Sequence, residues 1–236
     1  MNKGDIVKDL FFPRRCAVCD EVLPFGMKFV GNDCAKKLVY IKEPRCLKCG
    51  KTITDTNREY CGDCENRKHY FERGMAALDY SCVSDSLYRF KNKGRPEYAE
   101  FYAFVIYETA KDFLFSIHPD AFIPVPVHKS KMSVRGYNQS ELISKRLSKL
   151  TNIPTLSDVV LRKKKTPPLK DLSLFERQNN LKKAFIIGRN DVKLKTIVII
   201  DDIYTTGSTI DEISRTLLSE FDCKIYFLTV TIGRGV

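Results

Sequence analysis

The chain has 236 residues, which at roughly 100–200 residues per domain allows one large domain or a main domain with a small one attached. Apolar residues make up 43% and charged residues 29%; these are proportions of a folded globular protein, and no apolar run approaches the roughly 18 residues of a membrane span, so a transmembrane protein is excluded. Lys and Arg exceed Asp and Glu by 11, and residues 129–195 alone carry 17 basic against 5 acidic side chains, a local +12 that leaves the rest of the chain at −1.

Such a concentrated surplus attracts polyanions or phosphate-rich small molecules, the alternative being a solvated basic surface. The N-terminus, MNKGDIVKDLFFPRRC, mixes acids with bases and lacks the apolar stretch and cleavage site of a secretory signal. The expected location is therefore the cytoplasm, with no membrane insertion.

Seven of the nine cysteines precede residue 65. In a reducing compartment that clustering points to metal rather than disulfides. Cys46-Leu-Lys-Cys49 and Cys61-Gly-Asp-Cys64 are two knuckles separated by eleven residues. Together they can complete the tetrahedral shell of a structural zinc, the alternative being unrelated buried cysteines. Gly50 and Gly62 suit the tight turns of these knuckles. Cys16 and Cys19 form another knuckle, but Cys34 has Gly31 three residues before it, so Asp33, Asp20, a more distant side chain or water would have to be the fourth ligand. The segment has few long apolar periods, and metal binding is expected to supply much of its folding free energy. Cys82 and Cys223 lie in apolar stretches and read as small core residues.

From about residue 70 apolar runs alternate with helical patterns, the signature of an α/β domain. The patterns predict a strand over 74–81, a short helix over 83–92 and a long helix over 97–118, with Phe101, Phe104, Val105, Ala110 and Phe113 on its apolar face. Twelve aromatics lie between Tyr70 and Phe115, with Lys91, Lys93 and Arg95 among them; such interleaving can stack single-stranded nucleic acid, but at helical spacing the core reading is favoured. A short strand over 121–127 opens into a basic loop, 128–139, after which Asn138 and Glu141 can form a capping box for a helix carrying Leu142, Ile143, Leu147 and Leu150. A further strand is expected at 159–161, followed by an exposed basic, proline-containing loop over 162–168.

Thr196-Ile-Val-Ile-Ile-Asp-Asp-Ile-Tyr-Thr-Thr-Gly-Ser-Thr209 carries the most chemistry. Its continuous β-branched run suits a central parallel strand covered on both faces, and ligands bind beyond the carboxyl ends of such strands. Asp201 and Asp202 stand there, able to accept hydrogen bonds from vicinal hydroxyls. Thr205, Thr206, Gly207, Ser208 and Thr209 can wrap amides and hydroxyls around a phosphate at the start of the following helix. Diol and phosphate together describe a ribose 5-phosphate; an acidic turn or a nuclease-like metal-binding pair are the alternatives. No P-loop or dinucleotide fingerprint occurs, and three histidines, His69, His118 and His128, without a nucleophile elbow give a hydrolase triad little support.

The cysteine pairs, Ile123-Pro-Val-Pro-Val127, Arg135-Gly-Tyr-Asn-Gln139, Thr166-Pro-Pro168, Glu176-Arg-Gln-Asn-Asn-Leu181 and the Asp-Asp motif, in that order, resemble the ComF (ComFC) family of bacteria. The resemblance implies an α/β fold: a type I phosphoribosyltransferase-like parallel sheet flanked by helices (73–236), behind a small, double zinc ribbon (1–72). It further implies that Asp201 and Asp202 hold the ribose hydroxyls of phosphoribosyl pyrophosphate, bound with Mg²⁺, and that residues 205–209 hold its 5-phosphate. Lys129 and Arg135, in the loop after Val127, would meet pyrophosphate, with 162–183 as a flap. Two departures stand out: Gly31 replaces a zinc-site cysteine, and Leu169 replaces a glutamine. Thr205 also stands where purine salvage transferases carry an aspartate base, and a hydroxyl without a basic neighbour cannot take that role. The family is linked to handling of incoming single-stranded DNA, so single-stranded DNA and DNA-uptake proteins are the expected macromolecular partners. The alternatives are an active phosphoribosyltransferase of unknown acceptor, and a zinc-ribbon DNA-binding module with a vestigial sugar-phosphate site.

Overall fold

The fold is known from a computed structural model that describes residues 13–163, 183–189 and 191–233. Among the described residues the strands are β1 (Arg73–Asp79), β2 (Ala121–Pro124), β3 (Val160–Arg162), β4 (Phe185–Ile187), β5 (Thr196–Tyr204) and β6 (Lys224–Ile232). β1, β6, β5 and β2 lie side by side in that order, every pair parallel, and β3 and β4 form a separate antiparallel pair. The helices are α1 (Asn32–Lys36), α2 (Gly62–Glu65), α3 (Ser84–Asn92), α4 (Tyr98–Ile117), α5 (Lys129–Arg135), α6 (Gln139–Thr151) and α7 (Ser208–Leu218).

β5 is central because Ile197, Val198, Ile199 and Ile200 are buried without alternation, which requires cover on both faces. Ile197 and Ile199 face a core shared with Ile210, Ile213 and Leu217 of α7 and with Cys46 and Cys49. Val198 and Ile200 face the opposite core, built from Tyr102, Val105 and Ile106 of α4 and Ile143 and Leu147 of α6. The aromatic-rich stretch is therefore largely core: Phe90, Tyr98, Phe101 and Tyr102 are buried, whereas Tyr88 and Phe115 are exposed. The buried face of α4 is broader than expected and placed differently: Tyr98, Tyr102, Ile106 and Leu114 join Phe101, Val105 and Ala110 in it, whereas Phe104 is exposed and rests against Phe29 at 5.2 Å.

Four local expectations need correction. Residues 128–139 are not all loop: 129–135 form α5, because the His128 side chain caps its start by accepting from the Ser130 amide, and Gly136, at φ 78°, ends it. The capping box does not form; Asn138 accepts from the Ser140 amide and donates to the Val125 carbonyl, while Glu141 pairs with Lys145 at 2.6 Å. Arg162, expected in an exposed loop, ends β3 with its guanidinium over the Phe185 ring. Cys82 and Cys223 sit half-buried at the core margin rather than inside it, and Leu169 with most of 162–183 lies outside the described residues.

The cysteine-rich segment closes the outer edge of β1. Ile41 donates to Ala77 O (3.0 Å), Gly74 to Lys48 O (2.8 Å) and Asp79 to Val39 O (2.8 Å), so backbone groups that an edge strand would leave open are satisfied. Gly74 is required at this junction because a Cβ there would fall 2.0 Å from the Phe227 ring. Gly74→Ala is expected to lower stability by about 1–3 kcal/mol through overpacking, read as a lower melting temperature with zinc content unchanged.

Candidate functional site

At the carboxyl end of β5 two adjacent carboxylates meet side chains from four other elements. Asp201 accepts from Ser140 Oγ and from the Asp202 amide, both at 2.9 Å. Lys91, from the last turn of α3, places Nζ 2.5 Å from Asp202 Oδ2, an ion pair rather than a well-angled hydrogen bond, since that oxygen is buried without a hydrogen-bond partner. Burial of its carboxyl, with the Asp202 charge second, raises Asp201 to about 7, against the opposing pull of Lys91. The surrounding cations converge: burial first, then the charges of Arg162, Arg135 and Lys91, holds Lys131 below the ordinary lysine range. Burial likewise lowers Arg162, opposed by Asp201.

The following loop turns into α7 through Gly207, at φ 77°, with no side-chain cap on the helix start. Its first-turn amides are therefore available to an anion. Thr206 Oγ1 and Ser208 Oγ stand 3.0 Å apart, and Thr205, Thr206, Gly207, Ser208 and Thr209 line one small concavity with Asp201. Beside it opens a cavity of about 780 Å³ whose walls include Tyr80, Tyr88, Lys91, Arg135 and Thr205. Arg135 also donates to Gln139 Oε1 at 3.2 Å.

Of the sequence-predicted groups, the Asp pair, 205–209 and Arg135 are brought together. Lys129 is exposed at the start of α5 and lines neither concavity. Lys91 and Lys131 are additions. Lys91 is visible in the sequence only as a base among aromatics, and its approach to Asp202 depends on how α3 packs. Arg95, from the same run, is instead diverted to Asp20 at 2.9 Å.

Cys46, Cys49, Cys61 and Cys64 present sulfurs within 4.8 Å of one another. Hydrogen bonds from the Cys49, Cys61 and Cys64 thiols hold Cys46 well below the ordinary thiol range. Four such donors, two of them buried, fit a closed structural zinc shell. Lys51 ties the knuckles together through Asp63 at 2.6 Å. Gly50, at φ 77°, has no room for a Cβ, which would lie 2.7 Å from Gly74 O, whereas Gly62 begins α2 and needs no such turn. Cys16, Cys19 and Cys34 also cluster, but neither proposed carboxylate completes them: Asp20 is taken by Arg95 and Tyr98, and Asp33 pairs with Lys36 at 3.5 Å. Among the described residues this group has three ligands.

Sheet, strand-end carboxylates and four-cysteine cluster define a zinc-ribbon α/β protein. A family model described as "Double zinc ribbon domain" matches residues 7–65. "Competence protein F" of Haemophilus influenzae is 30% identical over 213 residues, 88% of this chain and 92% of that protein. "DNA utilization protein YhgH" of Escherichia coli K12 is 28% identical over 219 residues, 89% and 92% of the two chains. The chain belongs to the ComF family of competence proteins. An adenine phosphoribosyltransferase structure aligns with 61% of this chain and 75% of its own at 16% identity and a TM-score of 0.37. Among the described residues no helix is long and apolar enough to cross a membrane.

The raised Asp201 gives a signed pH dependence. A carboxyl that binds its proton more tightly folded than unfolded stabilises the fold fully below the ordinary carboxylate pKa of about 4. That contribution is lost as pH rises through about 7. Wild type is therefore expected to lose stability relative to Asp201→Asn across this window in denaturant titrations; parallel curves would contradict the assignment.

Proposed function

We propose that this protein binds phosphoribosyl pyrophosphate with Mg²⁺ at the end of β5 and assists the uptake or processing of single-stranded DNA in the cytoplasm. In this reading 1–72 is the zinc-binding part and 73–236 the sugar-phosphate part. The observation that carries it is the meeting, at one strand end, of a carboxylate pair, a hydroxyl-lined loop at an uncapped helix start, and the cations Lys91, Lys131 and Arg135. Asp201 and Asp202 accept the ribose hydroxyls, the amides of 205–209 enclose the 5-phosphate, and the cations neutralise pyrophosphate. Lys91 must release Asp202 for the sugar to enter. Mg²⁺ bound with the ligand supplies further positive charge against the pyrophosphate oxygens. The DNA part rests on the names of the relatives and on the basic surplus of 129–195, with DNA-uptake proteins as further partners.

A second reading, an active phosphoribosyltransferase, draws support from the 780 Å³ cavity. It shares Thr205, Lys91 and Arg135 with the sugar-phosphate site, and its size is that of a small-molecule site.

Phosphoribosyl pyrophosphate with Mg²⁺ is expected to raise the melting temperature by mass action, and Asp201→Asn combined with Asp202→Asn to abolish the rise. Equal shifts in both proteins would move the ligand elsewhere.

For single-stranded DNA, affinity is expected to fall with salt at a log–log slope of about −0.7 per phosphate contact. Changing Lys163, Lys164 and Lys165 to Gln should weaken binding and flatten the slope. Arg162 is left in place because it is drawn inward. Wild-type protein without salt-sensitive DNA binding would contradict the nucleic-acid part and favour the transferase.

A further inference from the structure

His69 gives the sequence no functional signal, yet it lies at the junction of the two sites. Its side chain is 1% exposed. One ring nitrogen, Nε2, stands 3.6 Å from Cys64 Sγ, and the other, Nδ1, 2.9 Å from Asp211 Oδ2. Asp211 belongs to the first turn of α7, where its amide donates to Gly207 O at 2.8 Å, and its second carboxylate oxygen accepts from the Tyr70 amide at 3.0 Å. Two residues before His69, Arg67 donates to the Thr206 carbonyl at 2.8 Å. The segment leaving the second knuckle thus holds this region at two points, the carbonyl of Thr206 and the Asp211 carboxylate in the first turn of α7.

Packing leaves no play between these parts. His69 stacks on Phe71 at 4.7 Å, Phe71 meets Tyr204 edge-on at 6.3 Å, and Tyr204 stacks on Phe227 at 4.7 Å. A Cβ on Gly207 would lie 2.6 Å from the Tyr204 hydroxyl and 3.2 Å from His69 Cε1. The floor of the loop is therefore made by Tyr204 together with His69, the residue that touches a cysteine of the second knuckle.

We propose that His69, Asp211 and Arg67 are positioning residues through which the zinc knuckle Cys61–Cys64 sets the geometry of the 205–209 loop, so that metal and sugar-phosphate binding are coupled. This rests on the sugar-phosphate reading above. Without the ion the two knuckles lose the bonds that close them on one another, in a segment poor in apolar residues. Cys64 then releases His69, and the loop loses its preorganised amides. Coupling of this kind is reciprocal: whatever factor the metal contributes to ligand affinity, the ligand returns to metal affinity.

The test uses the full chain, with zinc content measured for every sample. His69→Phe keeps the stack on Phe71 and removes both polar contacts. It is expected to retain zinc, to speed amide hydrogen exchange at 205–211 while α4 and α6 keep wild-type protection, and to weaken phosphoribosyl pyrophosphate binding about tenfold. Transfer of zinc to a chromogenic chelator should be slowed by phosphoribosyl pyrophosphate with Mg²⁺ in wild type and not in His69→Phe, a difference that general loss of stability does not produce. Should His69→Phe fail to fold, Asp211→Asn cuts only the loop half of the bridge and is expected to show the same exchange pattern.

Wild-type exchange at 205–211 in a zinc-retaining variant, or a zinc-transfer rate indifferent to ligand in a wild type that binds it, would overturn the coupling. If wild type binds no phosphoribosyl pyrophosphate, the function proposed above fails. The exchange measurement, made without ligand, still decides whether the knuckle positions the loop.

Discussion

Two carboxylates side by side at the end of a buried strand cannot both ionise without cations close by, and much of the α/β part is arranged around that constraint. Like charges in a poorly solvated place raise one another's proton affinity, as they do for Asp201. The compensating charges come from distant parts of the chain: Lys91 from α3, Lys131 from α5 and Arg162 from the end of β3. Each of these elements must dock correctly before the pair is tolerated. Lys91 supplies the charge closest to Asp202, 2.5 Å from its Oδ2.

The ribbon answers a different shortage. β1 is an edge strand, and the cysteine-rich segment has too little apolar surface for a core of its own. Each supplies what the other lacks. The segment hydrogen-bonds the open edge of β1, while Cys46, Cys49, Ile41 and Ile53 join the core beneath β5 and α7. Metal binding in such an arrangement stabilises the sheet as well as the ribbon. The second knuckle thereby lies directly under the helix whose start forms the phosphate-type loop.

Family membership and geometry bear on function in different ways. The relatives' names concern competence and DNA utilization, whereas the strand-end site brings together a carboxylate pair, a hydroxyl-lined loop and several cations. The basic segment is where the two meet. Two of its members, Lys131 and Arg162, are turned toward the carboxylate pair. The formal surplus of that segment consequently overstates its capacity for polyanion binding.

Periodicity and composition in the sequence were enough to show the parallel sheet, the central place of β5, the long helix α4 and the four-cysteine cluster. Each of these rests on a local pattern: an unbroken β-branched run, an apolar repeat at helical spacing, or paired cysteines two residues apart. The Asp pair and the 205–209 loop were legible for the same reason, since strand end, carboxylates and small hydroxyl residues are contiguous. Residues 128–139 were misread because glycine and charge there suggested a loop, whereas a histidine cap and a single left-handed glycine enclose a helix. Lys91 beside Asp202, Arg162 turned inward and Asp20 diverted from the first cysteine cluster were decided only by tertiary structure. So was His69, which touches Cys64 and reaches Asp211, 142 residues further along the chain. Charge pairing and buried hydrogen bonds act over a few ångströms in space, and no local period of the chain records which distant segments the packing of two cores on one sheet will bring that close.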